Sequence, residues 1–117
     1  MMQSTETPDG VLVLTLKAQR IDAASAVHFK DDFRKATTAQ SGRVVMDLAS
    51  VTFMDSSGLG AMVAALKSLD GRQLELCSLT GAVDKVFRLT RMDKVFLVHA
   101  DVEQALACNG PKGADAA

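Results

Sequence analysis

RVVMDLASVTFMDSSGLGAMVAALKSLDG, residues 43–71, holds the two periodicities that decide the fold. Val44, Val45, Met46 and Leu48 are nearly continuous, and a run apolar on both faces is the pattern of a central strand covered by helices on two sides. From Leu59 onward the apolar residues recur as Leu59, Met62, Val63, Leu66 and Leu69, the spacing of one helical face, and Asp70-Gly71 closes that helix. Between strand and helix stand Asp55, Ser56, Ser57 and Gly58. They read either as a strand-to-helix turn or as a site whose hydroxyl does work.

The same strand-helix alternation extends in both directions. Upstream, VLVLTL (residues 11–16) follows Thr7-Pro8-Asp9-Gly10, where proline presets one turn dihedral and glycine allows the positive one, so a hairpin is predicted. Its first strand, from about Met2 to Thr7, is polar and belongs at a sheet edge. Ala23 to about Thr38 reads as a helix capped by Asp22, with Val27, Phe29, Phe33 and Ala36 inward and Ser41-Gly42 ending the element. Downstream, Gln73 to Cys77 alternates as a strand, with Leu74 and Leu76 set against Gln73 and Glu75. Val83, Val86, Phe87 and Met92 mark a helix starting after Gly81, and VFLVH (residues 95–99) is a last strand. Asp101-Val102-Glu103-Gln104 resembles a capping box that opens a final helix with Val102, Ala105 and Leu106 inward. This order predicts one α/β domain over residues 3–107, with a mixed, mostly parallel sheet, an antiparallel N-terminal edge strand and about four flanking helices. Residues 108–117 are expected to form a disordered tail, because NGPKGADAA has nothing to bury.

Composition removes several functional classes. Of 117 residues 48% are apolar, with five Phe and neither Trp nor Tyr, so a core of Val, Leu, Ala and Met is expected. The net charge of −1 is spread along the chain, which lacks the basic footprint of a nucleic-acid binder. No apolar run approaches the ~20 residues that span a bilayer, and MMQSTETPDG lacks the basic and apolar segments of a secretion signal, so a cytoplasmic protein without membrane insertion is expected. Cys77 and Cys108 share no metal or redox spacing, and Asp31-Asp32 diverge by about 100° on a helix, so no metal site is expected. There is no G-x-x-x-x-G-K or G-x-G-x-x-G loop for phosphates, and no cofactor is expected. A nucleophile elbow would need a glycine where Met54 or Asp55 stands, and a base that only His28 or His99 could supply, so no catalytic residue is assigned.

The remaining candidate is the turn itself. Capping requires one polar side chain, and three stand in succession at Asp55, Ser56 and Ser57. The helix that follows carries Gly60, Ala61, Ala64 and Ala65 instead of a charged outer face. Small residues beside an exposed hydroxyl describe a docking surface for another protein. A phosphate there would be tolerated by the helix N-terminus but would oppose docking, through repulsion by Asp55 and through desolvation.

VVMDLASVTFMDSSGLGAMVAALKSL, residues 44–69, closely resembles the signature region of the STAS-domain anti-sigma factor antagonists. The resemblance implies a protein that binds an anti-sigma factor, and so frees a sigma factor, until that anti-sigma factor phosphorylates it on serine. In the family's D-S-[STA]-G-[LI] pattern the phosphoacceptor directly follows the aspartate, which places it on Ser56, with Ser57 left as the candidate N-cap. Asp22, Asp55, Ser57, Gly58, Gly60, Ala61 and Ala64 are the expected partner-binding and switch residues. The implied partners are an anti-sigma factor that is also a serine kinase and a PP2C-type phosphatase, and ATP and magnesium would belong to them. The family's Gly-x-[LIV]-Asp turn is matched as Gln19-Arg20-Ile21-Asp22, with the aspartate kept and the glycine absent. The family also contains unphosphorylated modules, including subunits of lipid-transporting ABC complexes, so a constitutive subunit is the alternative.

Overall fold

Strand β1 (Met2–Glu6) pairs antiparallel with β2 (Leu12–Leu16), Met2 opposite Leu16 and Glu6 opposite Leu12. The link is the expected turn: the Thr7 hydroxyl accepts from the Val11 amide at 3.1 Å, and Gly10 takes a φ of 84°. After β2 come β3 (Arg20–Ile21), α1 (Ala23–Thr37), β4 (Val44–Asp47), β5 (Phe53–Met54), α2 (Ser56–Ser68) and β6 (Leu74–Cys77). The chain continues through α3 (Gly81–Leu89), a 3-10 turn (Met92–Lys94), β7 (Leu97–His99) and α4 (Val102–Ala107). The structure, a computed structural model, describes residues 1–38 and 40–108, so the expected tail beyond Cys108 lies outside the described residues.

The main sheet runs β1-β2-β4-β6-β7, with every pair parallel except β1 with β2. β4 is therefore the middle strand, as its continuous apolar run predicts. Leu14, Leu16, Val44, Met46, Leu74 and Leu76 face one side and build the larger core with Phe29 and Phe33 of α1, Met62 of α2 and Phe87 of α3. Val13, Val45 and Cys77 face the other side, where Ala105 of α4 closes a smaller cluster. Burial pushes the Cys77 thiol up to about 11, so it behaves as a small apolar side chain.

Several expected burials are displaced. Val27 is 65% exposed and Leu106 39% exposed, while Met92 lies in the 3-10 turn after α3 has ended. Glu75, read as the solvent side of an alternating strand, is only 1% exposed. It lies on the α4 side of the sheet, in register with Val45. Its carboxylate accepts from Arg43 Nε at 2.9 Å and Arg43 Nη2 at 2.6 Å, and lies 2.8 Å from His99 Nε2. The same guanidinium donates to the carbonyls of Ala105 and Cys108, both at 2.9 Å, so it fastens the end of α4. Glu75 first, opposed by burial, raises the Arg43 pKa above its ordinary value.

Candidate functional site

The site is set by a parallel ladder of two residues per strand, Arg20 with Phe53 and Ile21 with Met54, forming a second small sheet. Alternating patterns cannot reveal so short a pairing, but its consequence is large. The next residue on each strand, Asp22 and Asp55, is the N-cap of the helix that follows, so α1 and α2 begin side by side.

Asp22 Oδ1 accepts from the Ser25 amide at 3.2 Å while Ser25 Oγ accepts from the Asp22 amide at 3.0 Å, completing a reciprocal capping box. Asp22 Oδ2 accepts from Arg20 Nε at 3.2 Å. That bond with Arg20 is the main reason the Asp22 carboxyl titrates below its ordinary value of 3.8; desolvation opposes it and Ser25 assists. On the second helix, Asp55 Oδ1 accepts from the Gly58 amide at 2.9 Å, and the Asp55 carbonyl accepts from the Leu59 amide at 2.9 Å.

This corrects the assignment of Ser57 as the cap. β5 ends at Met54, so Asp55 is the flanking residue with extended backbone, and its carboxylate is the one within reach of the third helical amide. Ser56 and Ser57 occupy the first two helical positions, both exposed. Neither hydroxyl has a hydrogen-bond partner among the described residues.

The expected docking residues divide in two. Ser56, Ser57 and Gly60 are exposed, and Asp22, Asp55 and Ala64 are half-exposed. Gly58 and Ala61 are buried, Ala61 at 3%, with Met62 and Ala65 completing the inward face of α2. The leucine-bearing face that hydrophobicity favours, Leu59 and Leu66 with Val63, is only partly buried. Small residues allow close approach of α1, so Ala61 supports the surface without being part of it. Gly58 is needed for a different reason: a Cβ there would clash with the Ile21 carbonyl oxygen of β3.

Arg20 and Phe53 belong to the same surface and carried no site assignment from the sequence. The Arg20 guanidinium carbon lies 4.0 Å from the centroid of the Phe53 ring, which is 38% exposed. The signal available was the paired motif Arg-Ile-Asp and Phe-Met-Asp, each running into a helix.

Among the described residues no serine-histidine pair is assembled. His99 is held by Glu75 on the α4 side of the sheet, opposite the core on which α2 packs, and His28 is exposed on α1. Among the described residues no cluster of His, Cys, Asp and Glu is placed to hold a metal ion, and no helix is long and apolar enough to cross a membrane.

The chain matches the family model of the STAS domain over residues 2–105. It is 42% identical over 72 residues to the anti-sigma-B factor antagonist of Listeria monocytogenes, a match covering 62% of each protein. The chain thus spans 62% of the length of that curated relative. Among solved structures it is similar to a STAS-domain protein of Planctomyces limnophilus, with a TM-score of 0.80, 24% identity and 91% and 95% of the two chains covered. It is also similar to the phosphorylated form of SpoIIAA, a Bacillus cell fate determinant, with a TM-score of 0.66, 18% identity and 92% and 97% covered. At these identities the structural likeness speaks for the fold.

Proposed function

The chain belongs to the STAS-domain family, and from that premise we propose that it is an anti-sigma factor antagonist, a binding module switched by phosphorylation of Ser56. Unphosphorylated, it holds an anti-sigma factor that is also a serine kinase; phosphorylated, it lets that partner go. The observation that carries this reading is the division of labour at the start of α2. Asp55 caps the helix, which leaves the Ser56 hydroxyl exposed and without a hydrogen-bond partner among the described residues. Ser57 is equally open, and the aspartate-serine order of the family pattern selects Ser56. Asp22, Ser57, Gly60 and Ala64 form the docking rim around it, with Gly58 and Ala61 supporting it from below.

Two opposing effects of the same charge make the switch. At an exposed helix N-terminus an anion is favoured by about 0.3–1 kcal/mol, so the phosphorylated domain stays folded. Against a partner, about −1.5 to −2 charges beside Asp55 and Asp22 meet repulsion and desolvation, and a few kcal/mol changes affinity a hundredfold or more. The protein performs no chemistry of its own in this scheme and works in the cytoplasm. A PP2C-type phosphatase resets it, and ATP and magnesium are the kinase's.

The test is binding of the purified serine kinase to Ser56→Ala and Ser56→Asp, with phosphate mapped by mass spectrometry after incubation with ATP. Label on Ser56, retained binding by the alanine variant and a hundredfold or greater loss by the aspartate variant are expected. Label elsewhere defeats the site, and equal affinities of the two variants point to a constitutive subunit.

A further inference from the structure

Arg20 is fixed from two directions at the edge of the Ser56 surface. Its guanidinium lies over the Phe53 ring, 4.0 Å from the centroid, and its Nε donates to Asp22 Oδ2 at 3.2 Å. Asp22 cannot drift, because its other oxygen caps α1 through Ser25. The ring contact and the Nε bond together restrict where the guanidinium can go. The two Nη nitrogens have no acceptor among the described residues, and the side chain is 59% exposed.

Stability is a poor explanation for this arrangement. An exposed ion pair to a near neighbour in sequence adds little to folding, because the gain is screened and side-chain freedom is lost. Held arginines with open forks are useful in binding, where the rotamer entropy would otherwise be lost on association. The complement is an anion, and among the described residues none is in place: Asp22 faces Nε, and Asp55 caps α2 through Oδ1 without a bond to Arg20.

We infer that Arg20, lying over Phe53, is a preformed anchor for a carboxylate of the anti-sigma factor that docks over Ser56, its two Nη groups donating the paired hydrogen bonds that a planar guanidinium makes to a carboxylate. The inference rests on the docking role proposed above and names the partner chemistry that the role requires. It also gives the interface an arginine, one of the residue types in which binding energy concentrates.

The experiment is calorimetric titration of the unphosphorylated protein with the purified serine kinase that labels Ser56, across wild type, Arg20→Ala, Arg20→Gln, Arg20→Lys and Arg20→Glu. Loss of about 30-fold or more in affinity is expected for alanine and glutamine, a larger loss for glutamate, and partial recovery for lysine, which keeps charge without the fork. Wild type should also lose more affinity than Arg20→Ala as salt is raised, and replacing one acidic residue of the kinase by arginine should restore binding to Arg20→Glu. Thermal melts of the free variants report folding separately, and Arg20→Gln keeps the stem over Phe53 if alanine loosens the ladder. Wild-type affinity in folded Arg20→Ala and Arg20→Gln overturns the anchor and leaves the Ser56 switch standing. A wild-type protein that the kinase neither binds nor labels removes the switch, and the anchor with it.

Discussion

Gly58→Ala and Gly60→Ala should move stability in opposite directions, although the two glycines lie two residues apart on the same helix. At Gly58 a Cβ would overlap the Ile21 carbonyl oxygen and stand 2.8 Å from the Ile21 carbonyl carbon and 3.0 Å from Met54 Cγ. Carbon atoms pack at about 3.5–4.0 Å, so the first turn of α2 and strand β3 must part by roughly 1 Å. Both obstacles at Ile21 are backbone, which cannot swing aside as a side chain does. Overpacking of this kind costs about 1–3 kcal/mol, and alanine's helical advantage over glycine returns at most about 1 kcal/mol in a first turn. A net loss of about 1–2 kcal/mol is expected, which is a fall of roughly 5–10 °C in melting temperature for a domain of this size. At Gly60 a Cβ meets nothing within 4 Å, so only the helical gain remains, up to about 1 kcal/mol and roughly 4 °C upward. Differential scanning calorimetry, checked by urea titration, reads both variants. If Gly58→Ala is as stable as wild type, the close approach of α2 to β3 is not the constraint described; if Gly60→Ala is destabilised, that position is not open. Gly60→Ala also separates folding from docking, since a more stable protein that binds its partner less well would place Gly60 in the interface.

Asp22→Asn should melt below wild type at neutral pH, and the gap should close in acid. A carboxylate depressed below 3.8 contributes stability that is fully present above that value and is lost as pH falls through the lower folded pKa, so a gap that persists in strong acid would refute the pairing with Arg20 as its source. Arg43→Met leaves Glu75 buried with only His99 beside it, which should cost about 3–5 kcal/mol in urea unfolding and speed amide exchange along α4; a loss under about 1 kcal/mol would show the pair to be dispensable.

The layers of this fold were legible because each rests on a long pattern. The continuous Val44–Met46 run, the Thr7-Pro8-Asp9-Gly10 turn and the Phe29–Phe33 spacing each offer several residues that agree. What was hidden depends on single contacts between distant segments. A lone Glu75 in an alternating strand looks solvent-facing until Arg43, 32 residues away, is found against it. On α2, hydrophobicity pointed Leu59 and Leu66 inward, yet the close approach of α1 favours Gly58, Ala61 and Ala65 there, because small side chains let two helices meet. The cap was misassigned for a related reason. Asp55, Ser56 and Ser57 can each accept an amide bond, and only the point where β5 stops pairing with β3 selects among them.

That selection is also what makes the site rigid enough for the switch proposed here. Since Ile21 pairs with Met54, the positions of Asp22 and Asp55 are fixed by the same ladder, and neither aspartate can shift without releasing a helix start. A partner docking over Ser56 therefore meets a surface whose charges are already placed: two carboxylates occupied as caps and a guanidinium held over the Phe53 ring with its fork open. Adding a phosphate to such a surface requires no conformational change in order to be felt. The new charge arrives beside Asp55, whose position the helix cap fixes, so the cost falls on the interface. The fold escapes that cost because the helix whose first residue carries the phosphate presents its unpaired amides and the positive end of its dipole to the anion. The same two-residue ladder thus explains why phosphorylation would be harmless to the domain and decisive for its partner.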